Sequence, residues 1–337
     1  MAQFIEDDEF ILIMNQHDVD CAIRGPAITV DNMKRMREMG VKTMIEYLYW
    51  SLVETARGQY DWKLFDQIVE DAISADMKVA LCTPTDFPVW CPDDWYTRFD
   101  DQSKPGSFSI WSREAMEYEL AFIAMVRDRY PKDRVCAYDG QLQVGETIYH
   151  NRPAWFDVHA RDAWKMRFGE SSEPPNTVTS ELDAWLKDSY IGLQLRLQEQ
   201  FVQTPHRELF TAIHPTIAGW FEYQGNKFYQ DIFISWHNAF PTSPINWMLY
   251  TYWPHGNDLH EKVRLQMSYQ GVKPWVGAEY CEGLSTHTQP LLSEGLRGFI
   301  LGPIHPFTGK PAMEDWMFDR IRESTAMWRQ AKGLPAL

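Results

Sequence analysis

Hydrophobic and polar positions along the chain alternate between two kinds of segment, short continuous apolar runs and longer amphipathic stretches. FILIMN (Phe10 to Asn15) is an unbroken apolar run, the pattern of a strand covered on both faces. TVDNMKRMREMG follows, with a Thr or Asp cap at its start, apolar residues at helical spacing and Gly40 at its end, so a helix is expected there. The same alternation then repeats. KTMIEYLYW is the second expected strand and DWKLFDQIVEDAISADM the second helix, and KVALCTPTDFPVW holds the third strand with its exit loop. A helix from Ser112 to Arg129 leads to VCAYDGQLQVGE, the fourth strand. After a helix around Leu182 to Gln203 come ELFTAIHP, INWMLYTYW, KPWVGAEYCEG and RGFILGPIHPF, the fifth to eighth strands, before a last helix near Met313 to Ala331. Strands in strict alternation with helices imply a parallel sheet, and eight such units close a barrel. The expected architecture is α/β, a single (β/α)8 TIM barrel over residues 1–337 with loop insertions, one of them near 150–181 around the Pro/Ser-rich GESSEPPNTVTS.

In such barrels chemistry sits at the C-terminal ends of the strands. The residues expected there are Asn15 on strand one, Glu46 and Trp50 on strand two, and Asp86 and Trp90 after strand three. Strand four offers Gln143, Glu146 and Tyr149, strand five His214, strand six Tyr252 and Trp253, and strand seven Glu279 and Glu282. Carboxylates on strands four and seven face each other across a barrel of eight. Glycoside hydrolysis needs that arrangement, one carboxylic acid to protonate the leaving oxygen and a second carboxylate beyond the anomeric carbon. Glu146, between Gly145 and a run containing Thr147, Tyr149 and His150, suits a desolvated acid/base that keeps its proton. Glu279, with Tyr252 as a hydrogen-bond donor to orient it, suits the ionised nucleophile. Glu46 lies inside a strand pattern, either as a site residue or in a buried ion pair with Lys or Arg. Asn15, Trp50, Asp86, Trp90, Gln143, Tyr149, His214, Trp253 and Glu282 are the further candidates for sugar contacts.

Composition narrows the partners. A formal net charge of −15 argues against nucleic acid or an anionic membrane, because phosphate binding requires clustered Lys and Arg. Fifteen Trp, 15 Tyr and 18 Phe are more than a core needs, and sugar rings present flat, neutral C–H faces that indoles stack on. A carbohydrate substrate is the expected partner, and self-association into a homo-oligomer is left open. No run approaches the roughly 20 uncharged apolar residues that a bilayer requires. The start, MAQFIEDDEF, lacks the basic and apolar regions of a secretory signal, so the expectation is cytoplasmic, or secreted if a leader was removed. Cys21, Cys82, Cys91, Cys136 and Cys281 form no CxxC pair, and no HxH, HExxH, GxSxG, phosphate loop or dinucleotide fingerprint is present. No metal or cofactor is expected.

The run EYLYWSLVETARGQYDWKLFDQIVEDAISADMKVALCTPTDFPVW resembles the second and third βα units of clan-A glycoside hydrolases, especially the barrel β-galactosidases. The matching residues are Trp50, Val53, Glu54, Gly58, Tyr60, Asp61, Trp62, Thr83, Pro84, Thr85, Pro88 and Trp90. The resemblance implies a TIM barrel with the acid/base closing strand four and the nucleophile closing strand seven, hence Glu146 and Glu279; Glu54 reads as a structural cap. At one point the chain departs: the clan has Asn before the acid/base, where Gly145 stands here. VGETIYH is in this respect similar to the Gly-Glu turn of β-amylases, which invert. A Trp common in the clan at strand eight is absent from LGPIHPF. The implied activity is hydrolysis of O-glycosidic bonds in an oligo- or polysaccharide, with a β-galactoside-like substrate and a retaining mechanism. The alternatives are an inverting β-amylase-like glycosidase, a glycan-binding barrel without catalysis, and a metal-dependent sugar isomerase. Carboxyl separation separates the first two hydrolases, about 5 to 5.5 Å for retention and roughly 6.5 to 9.5 Å for inversion.

Overall fold

The computed structural model describes residues 10–16, 29–82, 87–131, 133–139, 154–177, parts of 179–193, and 210–211, 248–250, 275–278, 284–293, 296–301 and 315–336. In chain order the elements are β1 (Ile11–Gln16), α1 (Val30–Glu38), β2 (Thr43–Tyr47), α2 (Trp50–Val53), β3 (Glu54–Ala56), β4 (Gln59–Tyr60), α3 (Lys63–Ser74) and β5 (Lys78–Cys82). They continue with α4 (Arg113–Arg129), β6 (Val135–Asp139), α5 (Val158–Phe168), β7 (Phe210–Thr211), β8 (Met248–Tyr250), β9 (Trp275–Ala278), α6 (Leu284–Ser293), β10 (Leu296–Leu301) and α7 (Asp315–Ala331).

Eight strands form one sheet in the order β7-β6-β5-β2-β1-β10-β9-β8, and every described pairing in it is parallel. Apart from β7 and β8, each strand pairs with its neighbours in the sequence, and the first of the eight also pairs with the last. That wrap distinguishes a barrel from an open doubly wound sheet, in which the terminal strands stay apart. A pairing of β7 with β8, which would complete the ring, is not among those described. Each of the eight expected strands coincides with an observed one. Side chains reinforce the wrap: Phe10 stacks on Trp328 of α7 at 5.5 Å and meets Phe299 of β10 edge-on at 6.2 Å. Thr325 donates from Oγ1 to the Met39 carbonyl at 3.3 Å, tying the last helix to the end of the first βα unit.

The helix ends follow their residues. Thr29 accepts from the Asn32 amide and caps α1, with Asp31 in the first turn and Arg35 and Arg37 in the last, all complementing the helix dipole. Chain reversal after α1 uses Gly40 at φ +96°, where an added Cβ would sit 3.4 Å from Thr325 Cγ2. Gly40→Ala is therefore expected to cost about 1 kcal/mol or more from the left-handed backbone, read as a lower urea midpoint at unchanged slope.

Two expectations are corrected. The second strand was expected to run through Trp50, yet β2 ends at Tyr47 and Trp50 opens a single helical turn, closed by Leu52 and Val53 amides on the Tyr49 carbonyl. Leu48, Tyr49 and Trp50 are all buried, so their apolar run marks entry into the core and not a longer strand. The insertion near 150–181 is not all loop, because α5 lies within it, capped by Asp157 and burying Ala160 and Trp164. The β3–β4 hairpin and α6 were likewise absent from the pattern reading. Among the described residues no helix is long and apolar enough to cross a membrane.

Candidate active site

The described part of the barrel mouth is built by the segments after β2 and β5. After β2 the chain makes the α2 turn and then the tight β3–β4 hairpin, whose reversal uses Gly58 at φ +76°. The hairpin folds back on the turn through the Asp61 amide, which donates to the Val53 carbonyl at 2.7 Å. That geometry places Glu54, fully buried, at the centre of a hydrogen-bond hub. Its Oε2 accepts from Trp50 Nε1 at 2.7 Å, and its Oε1 accepts from the Gly58 amide at 2.6 Å and the Tyr118 hydroxyl at 2.9 Å. Its backbone carbonyl accepts from Trp90 Nε1 at 3.0 Å. One residue thereby joins the segment after β2, the segment after β5 and helix α4.

Aromatic rings fill the space around this hub. Trp50 stacks on Phe122 at 4.6 Å and on Tyr118 at 5.9 Å, and it meets Trp90 and Phe108 edge-on. Trp50 has no exposed surface in this structure. Its indole packs in the core and donates to Glu54. Trp90 is half-buried, packed against Trp95 and Tyr118, and its neighbour Val89 is almost wholly exposed. Arg57, at the hairpin tip, holds its guanidinium 5.2 to 5.9 Å from the rings of Trp90, Trp95 and Tyr118. Burial, and then the negative charge of Glu54, raise the Tyr60 phenol above its ordinary range, and burial does the same for Tyr118. Both phenols stay neutral donors at any physiological pH. The Cys91 thiol is pushed up to about 12 by burial first and Glu54 second, which leaves it unreactive as a nucleophile.

Glu46 is the second buried carboxyl of this region. It is the penultimate residue of β2, in register with Gln16 of β1 and Leu81 of β5, and it is 1% exposed. Its Oε2 has no hydrogen-bond partner among the described residues. Burial pushes the carboxyl well above the carboxylate range, and among the described residues no cation opposes it. Of the two readings the sequence left open, the buried ion pair therefore finds no described partner.

On the strand-four side, Asp157 accepts from Ser109 Oγ at 2.8 Å and from the Ala160 amide at 3.0 Å. It caps α5 while pinning the segment after β6 to the segment after β5. Burial raises its carboxyl, opposed by those two bonds. Sequence reasoning missed Asp157 and Tyr118 and named Tyr60 only as a residue of the matching motif. Of the first two, only Asp157 carried a local signal, an Asp directly after a Trp-Phe pair at the start of a helical pattern. Glu146, Glu279, Tyr252, Asp86, Gln143, Tyr149, His214, Trp253 and Glu282 lie outside the described residues. Asn15 lies in β1, its side chain beyond what is described. No group of three or more His, Cys, Asp or Glu poised for a metal ion occurs among the described residues.

Comparison with known proteins places this geometry. Residues 26–104 match the model of glycoside hydrolase family 42, described as β-galactosidase. That segment contains α1, β2, the Glu54 hairpin, α3, β5 and Trp90. A search of curated protein sequences gives no match. Among solved structures, the chain is similar to the catalytic domain of a β-amylase from Paenibacillus polymyxa, with TM-score 0.64 and 14% identity over 95% of this chain and 99% of that one. It is also similar to a β-galactosidase from the psychrophilic Marinomonas ef1, with TM-score 0.61 and 14% identity over 97% of this chain and 61% of that one. A β-galactosidase from the Antarctic haloarchaeon Halorubrum lacusprofundi aligns with TM-score 0.62 and 12% identity over 96% of this chain and 58% of that one. The chain thus spans about three fifths of these β-galactosidases and the whole of the β-amylase domain. It has the (β/α)8 fold of barrel glycoside hydrolases and resembles the β-galactosidases in its second and third βα units.

Proposed function

We propose that the chain is a glycoside hydrolase, one catalytic barrel acting without a cofactor on a β-galactoside-like bond of an oligo- or polysaccharide. The observation that carries this reading is the coincidence of the β-galactosidase match at 26–104 with the Glu54 hub, which braces the rim of the barrel mouth. Glu146 protonates the glycosidic oxygen and Glu279 attacks the anomeric carbon, with Tyr252 orienting it. Water then hydrolyses the glycosyl-enzyme while Glu146 takes the proton back. Trp90, Trp253 and Tyr149 flank the sugar, and Asn15, Asp86, Gln143, His214 and Glu282 offer hydrogen bonds to its hydroxyls. A cytoplasmic site of action belongs to the same proposal.

The test is a panel of aryl β- and α-glycosides with the purified chain, expected to give turnover on β-galactosides that survives EDTA. Turnover abolished by EDTA would point instead to a metal-dependent sugar enzyme, and sugar binding without turnover to a glycan-binding barrel. A second reading rests on a specific observation: the chain covers 99% of a β-amylase catalytic domain, and Gly145 before Glu146 is the point at which the sequence resembles the Gly-Glu turn of β-amylases. NMR of the first-formed product anomer separates the two. Net retention supports Glu279 as nucleophile, and inversion assigns the second carboxylate, Glu279 or Glu282, as a base.

A further inference from the structure

We propose that Glu46 is a substrate-binding residue whose Oε2 completes a hydrogen bond with one ring hydroxyl of the sugar at the C-terminal end of β2. The assignment rests on the hydrolase reading above. Three observations carry it. Glu46 sits one residue from the end of its strand, level with the last residue of β1 and the penultimate residue of β5, at the end of the barrel where ligands bind. Its side chain is buried, and Oε2 is a buried polar atom with no partner among the described residues. Interiors seldom leave such an atom unpaired, because an unmade hydrogen bond there costs about 1–3 kcal/mol.

The other buried carboxyls nearby make the contrast. Glu54 is equally enclosed, yet its two carboxylate oxygens take three donors. Asp157 leaves Oδ2 unpartnered but uses Oδ1 to cap α5 and hold Ser109. Both have evident structural work, whereas nothing described occupies Glu46 Oε2. The chemistry of the ligand follows from the charge state. Burial favours the protonated carboxyl, no cation among the described residues opposes it, and that form offers one O–H donor and acceptor lone pairs. A sugar hydroxyl also donates and accepts, so the two are complementary. A cationic group would require the ionised form, and a phosphate would find no positive charge among the described residues.

The experiment uses monodeoxy aryl glycosides with the wild type, Glu46→Gln and Glu46→Met. In the wild type, removing the one hydroxyl that Glu46 holds lowers kcat/KM by about 10- to 100-fold, the usual worth of a hydrogen bond to a buried site group. In Glu46→Met that penalty disappears at the same position and stays unchanged at every other. Glu46→Gln, which keeps a donor and an acceptor, shows an intermediate penalty. Melting temperature without sugar is expected unchanged or higher in Glu46→Met, since an unsatisfied polar group has been replaced by an apolar one of similar length. Identical deoxy penalties in wild type and variants at all positions would overturn the assignment. If Glu46→Met does not fold, Glu46→Gln decides by whether one deoxy penalty shrinks severalfold. Should the wild type cleave no glycoside at all, the hydrolase reading falls. Glu46 is then judged by thermal stabilisation with galactose, which Glu46→Gln must weaken for the assignment to stand.

Discussion

Glu279→Gln is expected to lower kcat on every aryl galactoside by about 10³-fold or more, while Glu146→Gln loses activity only in proportion to how much its leaving group needs a proton. The asymmetry follows from the proposed roles. Covalent attack at the anomeric carbon is required whatever the leaving group, and an amide is a far weaker nucleophile than a carboxylate. Protonation of the departing oxygen matters little for an activated nitrophenol and much for an alkyl glycoside, where about 10²- to 10⁴-fold is at stake. Glu146→Gln should therefore retain glycosylation of a dinitrophenyl substrate but stall at deglycosylation, and azide, which needs no general base, should rescue it as a glycosyl azide. Steady-state and burst kinetics read this directly. Equal losses for both variants on activated and unactivated substrates, with no azide rescue, would remove the two-role assignment.

Glu54→Leu is expected to destabilise the protein by about 2–4 kcal/mol, because removing the buried carboxylate leaves three donors, the fully buried Trp50 indole among them, without their acceptor. The fully buried Trp50 indole and, at the edge of the site, the Gly58 amide and the Tyr118 hydroxyl all converge on a carboxylate with no exposed surface. Three separate orphaned donors would sum to more, but neighbouring losses are not additive and the rings relax together. Glu54→Gln should cost less, since its carbonyl oxygen still accepts while its amide nitrogen opposes one of the donors. Urea denaturation of both variants checks the order. A Glu54→Leu protein as stable as the wild type would mean that the hub is not formed. The loss should appear as early exposure of the segments after β2 and β5, measurable by hydrogen exchange, because Glu54 is the link between them.

The strand count was readable from local pattern because a strand buried on both faces must be apolar at nearly every position, and each of the eight runs satisfied that independently of its neighbours. Helix starts were readable at Thr29 and Ser112 for the same reason: a cap acts on amides two or three residues away and needs nothing distant. The end of β2 was not readable. Leu48 to Trp50 are apolar whether the strand continues or the chain turns into the core, and only the partners of the Trp50 indole distinguish the two. Glu54 was recognised as structural from its motif, but Tyr118 is 64 residues away and no local period links them. The ion-pair alternative for Glu46 could be weighed only once its surroundings were assembled.

By itself the sequence determined the (β/α)8 succession, the acidic and aromatic character suited to a neutral sugar, and the β-galactosidase-like segment around Trp50, Glu54 and Trp90. All three depend on residues close together in the chain. Tertiary structure decided what each of those residues can touch. It made Trp50 a buried donor to Glu54, tied the two rim segments together through one carboxylate, and left Glu46 enclosed with no cation beside it among the described residues. Burial and partnership are properties of distant segments brought into contact, and a periodicity of two or 3.6 residues carries no information about them.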